Sequence, residues 1–124
     1  MDDNKKTILA VDDEFEILKV LQEVFGPRGW NVITTPTGNS VWSIIEKNKV
    51  DLILLDLKLP DISGFDILKE LKVKAPQIPV IIFTAWGYEE EFVNKAMKLG
   101  AKGYVSKIVP IRELVETVNN VMVK

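Results

Sequence analysis

Histidine and cysteine are both absent from this 124-residue sequence, and each absence removes a body of chemistry. Without cysteine there is no disulfide framework, no thiolate metal site and no thiol nucleophile, a usage that suits a reducing compartment. Without histidine there is no Ser-His-Asp relay, no imidazole metal site and no phosphohistidine on this chain, so carboxylates, hydroxyls and lysines must carry any chemistry. Long hydrophobic runs are missing too. No stretch approaches the roughly 20 apolar residues of a membrane helix, and the amino-terminal MDDNKK has no apolar signal region. Nor is there an excess of positive charge: 16 basic against 18 acidic residues leave a formal net charge of -2, no broad field for nucleic-acid phosphates or anionic lipid. The expectation is a soluble, cytoplasmic protein that neither inserts into a membrane nor binds nucleic acid directly.

What is present is an ordinary globular composition, 47% apolar and 27% charged, in a length that fits one domain over residues 1–124 with a core of its own. The most informative stretch is 51–64, DLILLDLKLPDISG. Leu52, Ile53, Leu54 and Leu55 are consecutive apolar residues, the pattern of a strand covered on both faces, and they end in Asp56 before a loop broken at Pro60 and Gly64. In open parallel sheets, ligands bind in the crevice beyond the carboxyl ends of the strands, so the other residues arriving at that edge matter.

Further strands are predicted at 7–11, 32–35, 80–84 and 104–105. Between them, apolar residues recur at helical spacing. Phe15, Leu18, Leu21, Val24 and Phe25 mark the first helix, stopped by Gly26-Pro27, and Val41, Ile44 and Ile45 mark a second behind capping residues at 37–39. Phe65, Leu68 and Leu71 mark the third, ending at Ala75-Pro76. Phe92, Val93, Ala96, Met97 and Leu99 mark the fourth, opened by Tyr88 and three glutamates and closed by Gly100. Ile111, Leu114, Val115, Val118 and Val121 mark the fifth, with Pro110 in its first turn. Strict alternation of strand and helix implies an α/β fold, a doubly wound five-stranded parallel sheet with right-handed crossovers and helices on both faces. Spacing leaves the strand order open.

In such a sheet the ends of strands one, three, four and five bring Asp12-Asp13, Asp56, Thr84 and Lys107 to one side. Two carboxylates about 4 Å apart repel by roughly 4 kcal/mol at an effective dielectric near 20, so the cluster calls for a cation. An all-oxygen donor set selects a hard ion, and Mg²⁺ suits one or two carboxylates with room for a phosphate oxygen. Each residue also has a plain explanation. Asp13 and Glu16 have capping-box spacing, Thr84 is a β-branched strand terminus, and Lys107 is a surface lysine. The combination favours function, because separate strand ends deliver complementary groups to one crevice.

Four motifs, VDDE at 11–14, LLDLKLPDISG at 54–64, TA at 84–85 and YVSK at 104–107, make residues 7–121 resemble the receiver domain of two-component response regulators, like the single-domain chemotaxis and sporulation-phosphorelay regulators. The resemblance implies a flavodoxin-like strand order, 2-1-3-4-5, with strands one and three side by side. It implies that Asp56 is the phosphoacceptor, that Asp12, Asp13, Asp56 and the main-chain carbonyl of Lys58 hold Mg²⁺ (Mn²⁺ able to substitute), that Thr84 and Lys107 contact the phosphoryl group, and that Tyr104 is the switch aromatic. The donor histidine would sit on a sensor histidine kinase or a histidine phosphotransfer protein, with acetyl phosphate as a small alternative. Output would pass to an unidentified effector protein through the face of the fourth helix, fifth strand and fifth helix. Such a domain is a regulatory phosphoacceptor in a phosphorelay, promoting only its own phosphorylation and dephosphorylation.

Two departures from the family pattern stand out. Ile108 follows Lys107 where many receivers have proline, and since a non-proline cis bond costs about 2.5–4 kcal/mol, the bond is expected to be trans. Trp86, two residues beyond Thr84, either shields an acyl phosphate from water or is simply an exposed loop aromatic. Competing functions are weaker. An aspartyl-nucleophile phosphatase would need an acid where Lys58 stands, a flavin module would not put Asp12-Asp13 in its phosphate loop, and a phosphorylation-independent docking module would not need the full acid set.

Overall fold

The computed structural model of the protein describes residues 5–123; residues 1–4 and 124 lie outside it, among them most of the amino-terminal segment expected to carry no signal sequence. Five strands, β1 (Lys6–Val11), β2 (Trp30–Thr35), β3 (Leu52–Leu55), β4 (Val80–Thr84) and β5 (Gly103–Ser106), alternate with α1 (Phe15–Phe25), α2 (Ser40–Lys47), α3 (Gly64–Lys74), α4 (Glu90–Lys98) and α5 (Ile111–Met122). All pairings are parallel and the order is β2-β1-β3-β4-β5. The flavodoxin-like arrangement is therefore the observed one. β2 and β5 run further than their apolar residues alone indicated, because pairing with a neighbour extends them: Lys6 sits opposite Trp30, and Thr84 opposite Ser106.

The consecutive apolar residues of β3 are explained by two cores. Ile53 and Leu55 face one side with Leu9, Val11 and Ile82, covered by Val41 of α2, Leu68 and Leu71 of α3 and Ala96 of α4. Leu52 and Leu54 face the other with Ile8, Ala10, Ile81 and Phe83, covered by Leu18, Leu21 and Phe25 of α1 and Leu114 and Val118 of α5. All four β3 side chains are at most 1% exposed. The sheet is the middle of three layers, and its central strand meets no solvent on either face.

Several details differ from the sequence expectations. Phe15 belongs to the helical apolar stripe by spacing, yet it is 79% exposed, since it is the first residue of α1 and the buried side of the helix begins only at Leu18. Met97 is likewise 45% exposed. Glu89 precedes α4 as its cap, and Pro110 sits before α5 with extended backbone (ψ 142°) instead of within its first turn. The capping box of Asp13 and Glu16 is not formed. The residue flanking α1 is Glu14, whose side chain makes no capping bond, and the carboxylate that serves this turn is Asp12, its Oδ1 accepting from the Glu14 N–H at 2.9 Å. Among the described residues no peptide bond is cis, so Lys107-Ile108 is trans as expected.

Gly64 shows how the loop after β3 is held. Its N–H donates to the Leu57 carbonyl at 2.9 Å, and a Cβ built there would run into the Asp56 carbonyl oxygen and stand 2.7 Å from Leu57 Cα. Both neighbours are backbone and cannot rotate away. Gly64→Ala should therefore lose about 1–3 kcal/mol of stability in urea denaturation, the usual cost of overpacking, and a loss below about 0.5 kcal/mol would show that the loop yields freely.

Candidate functional site

The acids at the sheet edge are fixed by continuation of the ladder. Asp12 N–H donates to Thr35 O at 3.1 Å and Asp56 N–H to Val11 O at 3.0 Å, so each aspartate leaves its strand with its backbone still tied to a neighbour. Because β1 lies beside β3, the two side chains meet. Asp12 is 2% and Asp56 5% exposed, whereas Asp13 faces solvent. Asp12, Asp13 and Asp56 each offer a carboxylate oxygen within 4.8 Å of the others. That is an all-oxygen donor set of three acids, two of them buried, and it suits a hard divalent cation.

Lys107 is the counter-charge. Its Nζ lies 2.7 Å from Asp12 Oδ2, 2.7 Å from Glu14 Oε2 and 3.0 Å from Asp56 Oδ2, and its side chain is 6% exposed. Its main chain is fixed as well, because the Lys107 N–H donates to the Thr84 carbonyl at 2.8 Å. Thr84 is fully buried, and its hydroxyl accepts weakly from the Trp86 N–H at 3.4 Å. Asp56 Oδ1 is approached by the Lys58 N–H at the same distance, 3.4 Å, while the Lys58 side chain is exposed.

The aromatic groups form a second layer. Tyr104 Oη is buried without a protein partner, and the ring lies 5.9 Å from that of Tyr88. Tyr88 Oη accepts from the Ser106 N–H at 3.1 Å, which ties the loop after Thr84 to the end of β5, just before Lys107. The Trp86 ring packs on Phe92 at 4.9 Å, so this side chain leans on α4. All the acids, the threonine and the lysine expected at the edge are thus found at the tips of the strands that carry them. Two residues with contacts in this region were not singled out from sequence as working parts. Glu14 was visible only as the last letter of VDDE, and Tyr88 only as a helix-opening residue. A broad groove at the opposite end of the sheet, lined by Asp51, Pro79, Lys102 and Asn120 among others, includes none of the edge residues.

Comparison with known proteins agrees with this geometry. The sequence model of the response regulator receiver domain matches residues 8–119. The chain belongs to the response regulator receiver domain family. The chain is 38% identical over 117 residues to the response regulator SaeR of Staphylococcus aureus, covering 94% of this chain and 50% of that protein. It therefore spans about half the length of the curated relatives it matches. Among solved structures, a CheY-like receiver domain protein from Methanospirillum hungatei superposes with a TM-score of 0.87 at 29% identity, covering 94% of this chain and 93% of the other. The response regulator TrrA of Thermotoga maritima, solved in complex with Mg²⁺-BeF, does so with a TM-score of 0.84 at 29% identity, covering 94% and 99%. Receiver domains are regulatory parts of two-component systems, and the acid cluster of this receiver is consistent with Mg²⁺ and aspartyl phosphorylation. Among the described residues no helix is long and apolar enough to cross a membrane.

The electrostatics of this receiver are unbalanced. Burial raises the Asp12 carboxyl from 3.8 to about 6, against the Lys107 ammonium and the Glu14 N–H, which both lower it. For Lys107, burial acts to lower the pKa, but the hydrogen bonds it donates to Asp12, Glu14 and Asp56 outweigh it and hold the ammonium above the ordinary lysine range. A carboxyl whose pKa is higher folded than unfolded destabilises the fold increasingly as pH rises from near 3.8 to about 6, and by a constant amount above that. In chelator, Asp12→Asn, which keeps an oxygen acceptor for the Glu14 N–H, should be more stable than wild type by on the order of 1–3 kcal/mol at pH 8 and equal to it at pH 4. A difference that does not change with pH in urea denaturation would reject burial of the charge as the cause.

Proposed function

We propose that this chain is a single receiver domain over residues 1–124 that works in the cytoplasm as a phosphorylation switch, taking a phosphoryl group onto Asp56 and changing its partner contacts in response. The observation that carries the reading is the setting of Asp56: a buried carboxylate at the tip of the central strand, with Asp12 and Asp13 oxygens within 4.8 Å and an ammonium 3.0 Å from its Oδ2. Asp56 attacks the phosphorus of a phosphohistidine on a sensor kinase or phosphotransfer protein, or of acetyl phosphate. The new O–P bond forms as the donor's bond to phosphorus breaks, and the electron pair leaves with the donor. Lys107 neutralises phosphoryl charge, and Thr84 offers a hydroxyl donor. Asp12, Asp13, Asp56 and the Lys58 carbonyl would hold Mg²⁺, which when bound supplies positive charge to the phosphoryl oxygens; Mn²⁺ can take its place. The complex of the relative TrrA with Mg²⁺-BeF supports this part of the reading.

Phosphorylation exchanges one carboxylate charge for about two phosphate charges at Asp56. Thr84 and Tyr104 then form the switch, Thr84 turning from its loop toward the phosphoryl group and Tyr104 repacking beside it. The signal leaves through α4, β5 and α5 to an effector protein, a shift between two packings biased by the phosphoryl contacts. In this role the domain promotes only its own phosphorylation and dephosphorylation.

Two exposed apolar side chains flank the proposed phosphoacceptor: Phe15, next to Glu14, is 79% exposed, and Ile108, next to Lys107, is 81% exposed. They fit an apolar protein surface that brings the donor histidine to Asp56. Incubation with acetyl phosphate and Mg²⁺ should convert wild type to a species one phosphoryl group heavier by intact mass, and Asp56→Asn should abolish that gain. An unmodified wild-type protein would instead favour a phosphorylation-independent docking module. Phe15→Asp should slow transfer from a cognate phosphohistidine protein about tenfold while leaving the acetyl phosphate rate within about twofold, the pattern of a docking contact near the centre of an interface. Equal slowing with both donors would place Phe15 in the chemistry.

A further inference from the structure

Glu14 has no part in the proposed transfer, yet it makes one of the two shortest contacts of Lys107. Glu14 Oε2 lies 2.7 Å from Nζ, equal to Asp12 Oδ2 and closer than Asp56 Oδ2 at 3.0 Å. Three carboxylates thus occupy the three N–H donors of one ammonium. They differ in exposure, since the side chain of Glu14 is 56% exposed against 3% for Asp12 and 6% for Asp56. Asp12 and Asp56 belong to the trio of acids whose oxygens converge within 4.8 Å, and Glu14 does not. Its backbone is nevertheless fixed beside them, with the Glu14 N–H bonded to Asp12 Oδ1 at 2.9 Å.

A divalent cation entering that trio competes with Lys107 for Asp12, and two cations on one carboxylate repel each other. Lys107 then needs an acid that the ion does not take. Glu14 supplies the acid from the solvent side, where its charge is hydrated at little cost.

We infer that Glu14 is a positioning residue that retains Lys107 while Asp12 passes to the cation, so that it sets the affinity of the cation site through Lys107 and not by ligating the ion. The inference rests on the reading of the three aspartates as a Mg²⁺ site. Without Glu14 the ammonium has only the two buried acids as partners, and an incoming ion must displace it from both.

The test is a double-mutant cycle read by calorimetric titration of the full chain with Mg²⁺ alone, with no phosphodonor present. Glu16→Gln is the charge-matched control, since Glu16 is exposed in the same helical turn and makes no contact with Lys107 among the described ion pairs. Glu14→Gln should weaken Mg²⁺ binding about tenfold and Glu16→Gln about twofold or less, and in a Lys107→Gln background the Glu14→Gln effect should fall to the Glu16→Gln level. Circular dichroism checks that each variant folds, with Lys107→Met as a second background. Equal effects of Glu14→Gln and Glu16→Gln would overturn the inference, as would a Glu14→Gln effect that persists in full without Lys107, which would make Glu14 a direct ligand. A wild-type protein that binds no Mg²⁺ would overturn the metal reading and this inference together, whereas normal wild-type binding with no Glu14 effect removes this inference alone.

Discussion

Asp12 and Asp56 carry carboxylates that are almost wholly withdrawn from solvent, side by side at the tips of adjacent parallel strands, with a single ammonium between them. Burying like charges at such a distance costs several kcal/mol unless counter-charge and hydrogen bonds offset it. The order β2-β1-β3 imposes the juxtaposition, and the ladder bonds from Asp12 to Thr35 and from Asp56 to Val11 leave neither backbone free to move away. The strongly apolar β3 makes the anchoring rigid: a strand at most 1% exposed along its length holds its terminal acid in place. The strain of the site is therefore borne by the core, which is why a tightly covered central strand and an electrostatically costly tip occur together.

That surplus of negative charge is what gives the edge its selectivity. Asp12, Glu14 and Asp56 meet one ammonium with Asp13 beside them, so Lys107 alone does not balance the acids, a surplus that suits a hard cation. An arrangement that is poorly balanced when empty gains most from a ligand that restores balance, and the gain is available to bias other equilibria. The elements able to receive it are already connected. Lys107 shares a backbone hydrogen bond with Thr84, and Tyr88 bridges the loop after Thr84 to Ser106, its ring tilted against that of Tyr104. These few contacts join the residues around Lys107 to Thr84 and to β5.

Much of this could be read in the sequence, and the parts that could not have physical reasons. Four consecutive apolar residues before Asp56 specify a two-sided strand because only a sheet covered on both faces buries every side chain, as Leu52 through Leu55 are buried. Strand order is different: spacing fixes alternation but not adjacency, so the order came from family resemblance alone. Phe15 was misjudged because helical periodicity records which side of α1 a residue lies on and not how far along the sheet the helix starts. Asp13 had the spacing of a cap, but the Glu14 N–H is satisfied by Asp12. Glu14 itself was unreadable, since its partner lies 93 residues away and an exposed acid at the start of a helix already has an adequate local explanation.

The isoleucine after Lys107 shows how a departure from the family pattern can leave a site intact. Proline at that position has no N–H to donate. Ile108 does, and its N–H bonds Ser106 Oγ at 3.2 Å. Ser106 is itself fully buried and is held on its other side by Tyr88, whose hydroxyl accepts the Ser106 N–H. Lys107 thus sits between two residues with fixed backbones, and its own N–H is bonded to Thr84. A local hydrogen bond and a tyrosine from the neighbouring loop hold the backbone around Lys107, whose ammonium lies 3.0 Å from Asp56 Oδ2. The Ile108 side chain takes no part in this and is 81% exposed beside Lys107.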